Sequence, residues 1–295
     1  MITHLAIFCG IAILQALSQD VVTGVTGQIS VAQGAFAGIG AYVSAILSVK
    51  FGLSVWLSIP IAVISAGAIS LFLGAVSVRL KGISLGIITL AFGELVFLLC
   101  LNWTGLTNGP MGMSGIPSLN PLIIGGKTIV LFNNRLNYLF LVLVTDIIVI
   151  SALLNLIKSK WGKAMRATKE NEIVALTMGI NINKYKILAF ALAACIAGLS
   201  GTLYAHYMQY ISPDTFVFSL SVTILSMAVI GGLGTIWGPV LGAIIITLLP
   251  EYLHGADEYR LIIYGLLVLI TLTVFPRGLF SGLKSFFNHR MKSHE

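Results

Sequence analysis

The feature that most limits what this chain can fold into is a succession of apolar stretches, spread from one end to the other, each close to membrane-crossing length. A helix needs roughly 20 residues to cross the hydrocarbon core. The runs fall at about 5–23, 29–49, 53–77, 84–103, 136–157, 186–208, 217–233, 236–254 and 260–275. Only 9% of the 295 residues are charged, against roughly 25% in a soluble domain. The pattern predicts an all-α, polytopic helical bundle of about nine membrane segments, with eight to ten compatible with the runs. No Lys or Arg precedes the first run, so it lacks the basic region of a cleaved signal peptide and reads as the first span.

Basic residues set the expected orientation. With the 158–186 loop in the cytoplasm, one side holds Arg79, Lys81, Lys158, Lys160, Lys163, Arg166, Lys169, Lys184, Lys186, Arg277, Lys284, Arg290 and Lys292. The other holds Lys50, Lys127, Arg135 and Arg260, so thirteen of the 17 basic residues face four. Cytoplasmic loops carry such an excess, which predicts the N-terminus outside and the C-terminus inside. The same placement accounts for the net charge of +7 without nucleic acid. Cys9, Cys100 and Cys195 lie in apolar runs without pairing or metal spacing, as small buried hydrophobes do.

Small residues recur four apart at Gly34 and Gly38, Ala41 and Ala45, Ala194 and Gly198, and Ala197 and Gly201. This spacing lets helix backbones approach closely in lipid. Glycine-rich breaks at "TGVTGQISVAQG" and "GGLGTIWGP" precede apolar runs. They read either as part of a substrate route or as tight interhelical turns. "WTGLTNGPMGMSGIPSLNP" carries turn formers and is expected to be a structured external loop, serving as a docking surface, a gate or a plain connector.

No enzyme constellation emerges. "GGKT", Gly125 to Thr128, has Pro121 where a phosphate-binding loop needs its first glycine. His4, His206, His254, His289 and His294 show no metal-ligand spacing. Glu94 and Asp146 fall near the centres of their spans. An acid there costs roughly 2.5–3.5 kcal/mol on insertion scales, so each is expected to face a partner, a watery path or a packing contact.

"GKAMRATKENEIVALTMGI", residues 162–180, is the one place where charge gathers. It predicts a short cytoplasmic helix with Thr168 as N-cap, Glu170 and Glu172 at the positive end and Gly179 at C′. Ile173 and Leu176 share a face, which suits either a groove on a partner or the membrane surface.

Several long blocks, in order, resemble the LivM-type permease subunits of bacterial ABC importers for branched-chain amino acids. They are "GQISVAQGAFAGIGAYVSAIL", "LAFGELVFLLCLNWTGLTNGPMGMSGIP", "GKAMRATKENEIVALTMGINI", "LAFALAACIAGLSGTLYAHYMQYISPDTF" and "SMAVIGGLGTIWGPVLGA". The likeness implies one permease domain over 1–295, with an external loop at 104–135, a cytoplasmic coupling segment at 158–185 and a basic cytoplasmic tail at 277–295. It implies a multi-pass protein of the bacterial inner membrane, surrounded by lipid. A second related permease chain, two cytoplasmic ATPase subunits and a periplasmic binding protein would be its partners. The chain itself would bind no cofactor, catalyse nothing and take its power from ATP on the ATPase subunits. The family's coupling motif falls on Glu172, Ala175 and Gly179, with Lys163 and Arg166 beside it. The substrate path falls to Ser30, Gln33, Glu94, Asn108 and Gly109, although Ser30 and Gln33 also suit bonds between helices. Phe97 stands where relatives often carry a basic residue, and Thr104, Gly105 and Leu106 replace a "TGG". Relatives that carry urea, short amides or other amino acids are therefore alternatives, and an ATPase-independent channel or secondary carrier is the rival class.

Overall fold

A computed structural model describes residues 2–80, 82–119, 122–124, 127–130 and 135–252, with isolated positions Ile262, Gly265, Leu266, Leu269, Thr273, Leu279 and Phe280. Most of the 260–275 run, the 277–295 tail, Lys81, Arg260, His254, His289, His294 and the glycines of "GGKT" lie outside the described residues.

The described chain is mostly helical. Its helices are α1 (Ile2–Gln19), α2 (Gln33–Val49), α3 (Val55–Ser77), α4 (Ile83–Asn102), the single turn α5 (Thr104–Thr107), α6 (Arg135–Lys158), α7 (Lys160–Glu170), α8 (Glu172–Thr177), α9 (Ile182–Met208), α10 (Phe218–Gly231) and α11 (Trp237–Tyr252). Six segments are long and apolar enough to cross a membrane: Ile2–Val25, Val55–Ser77, Ile83–Asn102, Arg135–Lys158, Ile182–Met208 and Pro213–Gly231. Gln33–Val49 and Trp237–Leu249 are apolar but shorter. The chain is a multi-pass helical membrane protein.

Two departures from the sequence expectation have clear causes. The fold is not purely helical, because β1 (Met113–Ser114) pairs antiparallel with β4 (Tyr210–Ile211), and β2 (Leu122–Ile124) with β3 (Lys127–Val130). The first pair pins the loop after α4 onto the end of α9, and it is reinforced by His206, whose Nδ1 meets the Pro117 carbonyl at 2.8 Å and whose Nε2 meets Ser44 Oγ at 2.7 Å. That histidine is a satisfied structural staple. The second departure is the start of the 29–49 run, which becomes helical only at Gln33. Gly27 sits at φ +72°, a left-handed conformation that interrupts a helix.

The core is built on α2 and α9. Phe36, Ala37 and Ala41 of α2 and Phe190, Ala193 and Ala197 of α9 are fully buried. A Cβ on Gly40 would collide with the Gly198 backbone, and one on Gly201 with the Ala37 carbonyl. The small-residue spacing therefore has specific partners: Gly198 and Gly201 let α9 lie directly on α2, while Gly34 abuts Ser221 and Gly38 abuts Phe216. Replacing Gly201 with Val is expected to cost about 3 kcal/mol or more, since neither backbone can yield. Membrane-fraction abundance and the thermal unfolding midpoint of purified protein should both fall.

Candidate functional site

Between α6 and α9 the chain leaves the bundle and builds an elbow from two short helices. Three side chains start its two helices and the span that follows. Ser159 Oγ accepts from Gly162 N at 3.4 Å, Asn171 Oδ1 accepts from Ile173 N and Val174 N at 2.9 and 3.2 Å, and Asn181 Oδ1 accepts from Lys184 N at 3.2 Å. Each such cap contributes about 1 kcal/mol. The single helix capped by Thr168 is thereby corrected. Asn171 adopts an extended backbone (φ −159°, ψ 110°) and splits the segment in two, while Thr168 Oγ1 donates within α7 to the Ala164 carbonyl.

The end of α8 follows expectation. Gly179 has φ +77°, its N–H reaches the Leu176 carbonyl, and Ile180 N–H reaches the Ala175 carbonyl at 3.0 Å. This paired closure needs a left-handed residue at C′. No atom crowds a Cβ at Gly179, so the requirement is conformational alone. Gly179→Asn should preserve folding and the elbow's protection from proteolysis, whereas Gly179→Val should cost about 2 kcal/mol in backbone strain and lower that protection.

Two anchors hold the elbow to the bundle, and a third contact braces the turn that one of them grips. Lys186 of α9 donates to Glu172 Oε1 at 2.6 Å, with side chains 5% and 27% exposed. Lys169 Nζ donates to the Gly24 carbonyl at 2.6 Å, at the end of the wide π-type turn Asp20–Val25 that finishes α1. Asp20, buried in that turn, accepts from Gly234 N at 2.6 Å. The positive charges of Lys169 and Arg166 lie within electrostatic reach of its carboxyl. The two glycine-rich breaks thus meet: a Cβ on Gly234 (φ +84°) would stand 3.1 Å from the Gly24 carbonyl. Both are interhelical turns, and Lys169 grips the place where they touch.

The motif positions face inward. Glu172 pairs with Lys186, Ala175 is buried against the bundle, and Gly179 shapes the turn. Outward stand Lys163, Arg166 and an apolar set, with Ile173 74% and Met178 73% exposed and Leu176 beside them. Sequence reasoning placed Ile173 and Leu176 on one face and marked Gly234 only as part of a glycine-rich break, but missed Met178, Lys186 and Asp20. The chain's return through α9 brings Lys186 to the elbow, and the turn after α10 brings Gly234 to Asp20 at the end of α1.

The remaining candidate residues do not form one site. Ser30 and Gln33 are fully buried behind α4. The Ser30 carbonyl accepts from Gln19 Nε2 at 2.9 Å, and Gln33 Oε1 accepts from Ser18 Oγ at 3.5 Å. Glu94 points the other way, exposed on the outer face of α4 among Ile87, Leu90 and Leu98. Asn108 and Gly109 take consecutive left-handed conformations (φ 62° and 59°) in the turn that caps α4, fixed by Thr107 Oγ1, which donates to the Cys100 carbonyl at 2.6 Å. Asp146 is turned inward against Gly10 of α1. Among the described residues, no group of three His, Cys, Asp or Glu side chains could hold a metal.

Residues 1–272 match the family described as the branched-chain amino acid transport system permease component. The high-affinity branched-chain amino acid transport system permease protein LivM of Escherichia coli (strain K12) is 33% identical over 288 residues, covering 91% of this chain and 67% of that protein. Its counterpart in Salmonella typhimurium is 32% identical over the same shares. The probable branched-chain amino acid transport permease protein LivH of Methanocaldococcus jannaschii is 26% identical, covering 92% of this chain and 89% of that protein. No solved structure matches.

Proposed function

The chain belongs to the branched-chain amino acid transport permease family, matched across residues 1–272, and from that premise we propose that it is the membrane-spanning subunit of an ATP-driven importer for branched-chain amino acids. A second permease chain completes the membrane unit, a periplasmic binding protein delivers substrate, and two cytoplasmic ATPase subunits hydrolyse the ATP. The permease catalyses no reaction itself. It sits in the bacterial inner membrane as one domain of about nine spans, N-terminus outside, with the elbow in the cytoplasm where the excess of Lys and Arg belongs.

One observation carries the coupling role. Ile173, Leu176 and Met178 stand exposed on the elbow, while Glu172 and Lys169 tie that elbow to α9 and to the end of α1. An exposed apolar patch with a charged rim marks an interaction surface, and this one connects rigidly to two spans. Closure of the ATPase subunits would push α7 and α8, and the anchors would pass that displacement to α1 and α9. Glu94 fits a water-lined path between two permease chains, because a carboxyl at mid-span is costly against lipid and this one is exposed on the outer face of α4.

The reading is tested in proteoliposomes. Leucine uptake should require the assembled complex and ATP inside the cytoplasmic compartment. Uptake driven by an ion gradient in vesicles holding this chain alone would assign it instead to the secondary carriers.

A further inference from the structure

A cavity of about 330 Å³ opens between α1, α10 and α11, toward the end of α1 that lies away from Gly24 and the elbow. Its volume is at the lower end of the range for small-molecule sites, roughly 300–1,000 Å³. Ile11, Ala12, Phe216 and Met227 supply apolar wall, and no charged side chain lines it. Two polar groups matter most for what it could hold. The side chain of Gln15, 7% exposed, lines the cavity, and Thr247 Oγ1 is buried there without a partner.

Leaving a buried polar atom unpaired costs about 1–3 kcal/mol, a cost that a visiting polar group beside Thr247 would offset. One turn further along α1, past the hydrogen-bonded Ser18, unpaired atoms recur. Gln19 Oε1 and, facing α1 from the start of α2, Gln33 Nε2 are also buried without partners, on the way from the cavity to the turn that Lys169 grips.

We propose that this cavity receives the aliphatic side chain of the transported amino acid during transit, with Gln15 and Thr247 hydrogen-bonding its polar end. The assignment rests on the transport reading above and adds an intrasubunit station to it. An apolar wall suits a branched C3 or C4 side chain. The zwitterion's charges meet only neutral dipoles there, which keeps the hold weak, as a site that must release its cargo onward requires. Ala12 and Met227 then set how much side chain fits.

The test uses the assembled transporter in proteoliposomes and reads kcat/KM ratios of variant against wild type, so that selection by any other subunit cancels. Ala12→Leu narrows the cavity and should lower leucine relative to valine by about tenfold, the discrimination one misfitting methylene provides, chiefly through KM. Met227→Ala removes atoms only, and should shift preference toward norleucine and phenylalanine by a similar factor. It carries the test alone if Ala12→Leu does not fold. Ratios within about twofold of wild type overturn the proposal. So does a co-purifying acyl lipid, seen by mass spectrometry, that Ala12→Leu strips while the amino acid ratios stay unchanged. Wild-type complexes that move no branched-chain amino acid overturn the transport reading itself, and with it this station.

Discussion

With Ile173 and Leu176 both replaced by Asp, the protein should still insert and fold but lose essentially all ATP-driven uptake. Both side chains are exposed on α8, at 74% and 59%, and neither contributes to the bundle's core, so folding is spared. Surface substitutions of this kind usually fall within about 0.5 kcal/mol of neutral. At an interface the same changes act differently: they replace two apolar anchors by charges that must be desolvated. Apolar residues at the centre of an interface cost about 2 kcal/mol or more each when removed. A combined loss of about 4 kcal/mol is close to a thousandfold in affinity. Co-purification of the ATPase subunits and their stimulation by the permease are the direct readouts. Retention of both would place the apolar face against something else.

The second large effect concerns the Glu172–Lys186 pair. Glu172→Ala leaves an ammonium whose side chain is 5% exposed without its 2.6 Å carboxylate partner. Removing one member of a buried pair costs about 3–5 kcal/mol; the carboxylate here is 27% exposed, which lowers the figure to about 2–3 kcal/mol. The loss falls on the joint between elbow and α9 rather than on the core, so uptake should drop more than tenfold while helix content is kept and some ATPase subunit remains bound. Exchanging the charges, Glu172→Lys with Lys186→Glu, should recover part of the uptake. A charge swap that behaves as badly as the sum of its single changes would mean that the residues act separately.

How much of this could be read beforehand differs from element to element. Span existence followed from hydropathy, since length and apolarity suffice for α1, α3, α4, α6 and α9. The face each span turns inward did not. In lipid both faces of a helix are apolar, so the amphipathic period that marks a soluble helix is absent, and Glu94 and Asp146 looked alike until α4 turned its acid outward and α6 turned its own inward. Glycine was more informative: Gly179 at C′ followed from its spacing, and Gly198 and Gly201 were marked as contact points, though their partners Gly40 and Ala37 were not. The Thr168 cap failed because Asn171 competes for the same role, and an Asn side chain bonding two and three residues ahead starts a new helix. Asp20 and Lys186 gave no local signal at all, and Gly234 showed only as part of a glycine-rich break. Their meaning comes from contacts across 14 to 214 positions of sequence.

The most direct test of the elbow as the grip for a separate ATPase is site-specific crosslinking in the assembled complex, with a photoreactive residue at Met178, which is 73% exposed. A crosslink to the ATPase subunit, changing in yield between nucleotide-free and ATP-bound states, is the expected result. Labelling of lipid alone in both states, with the complex intact and transporting, would contradict it and make the elbow a membrane-surface helix.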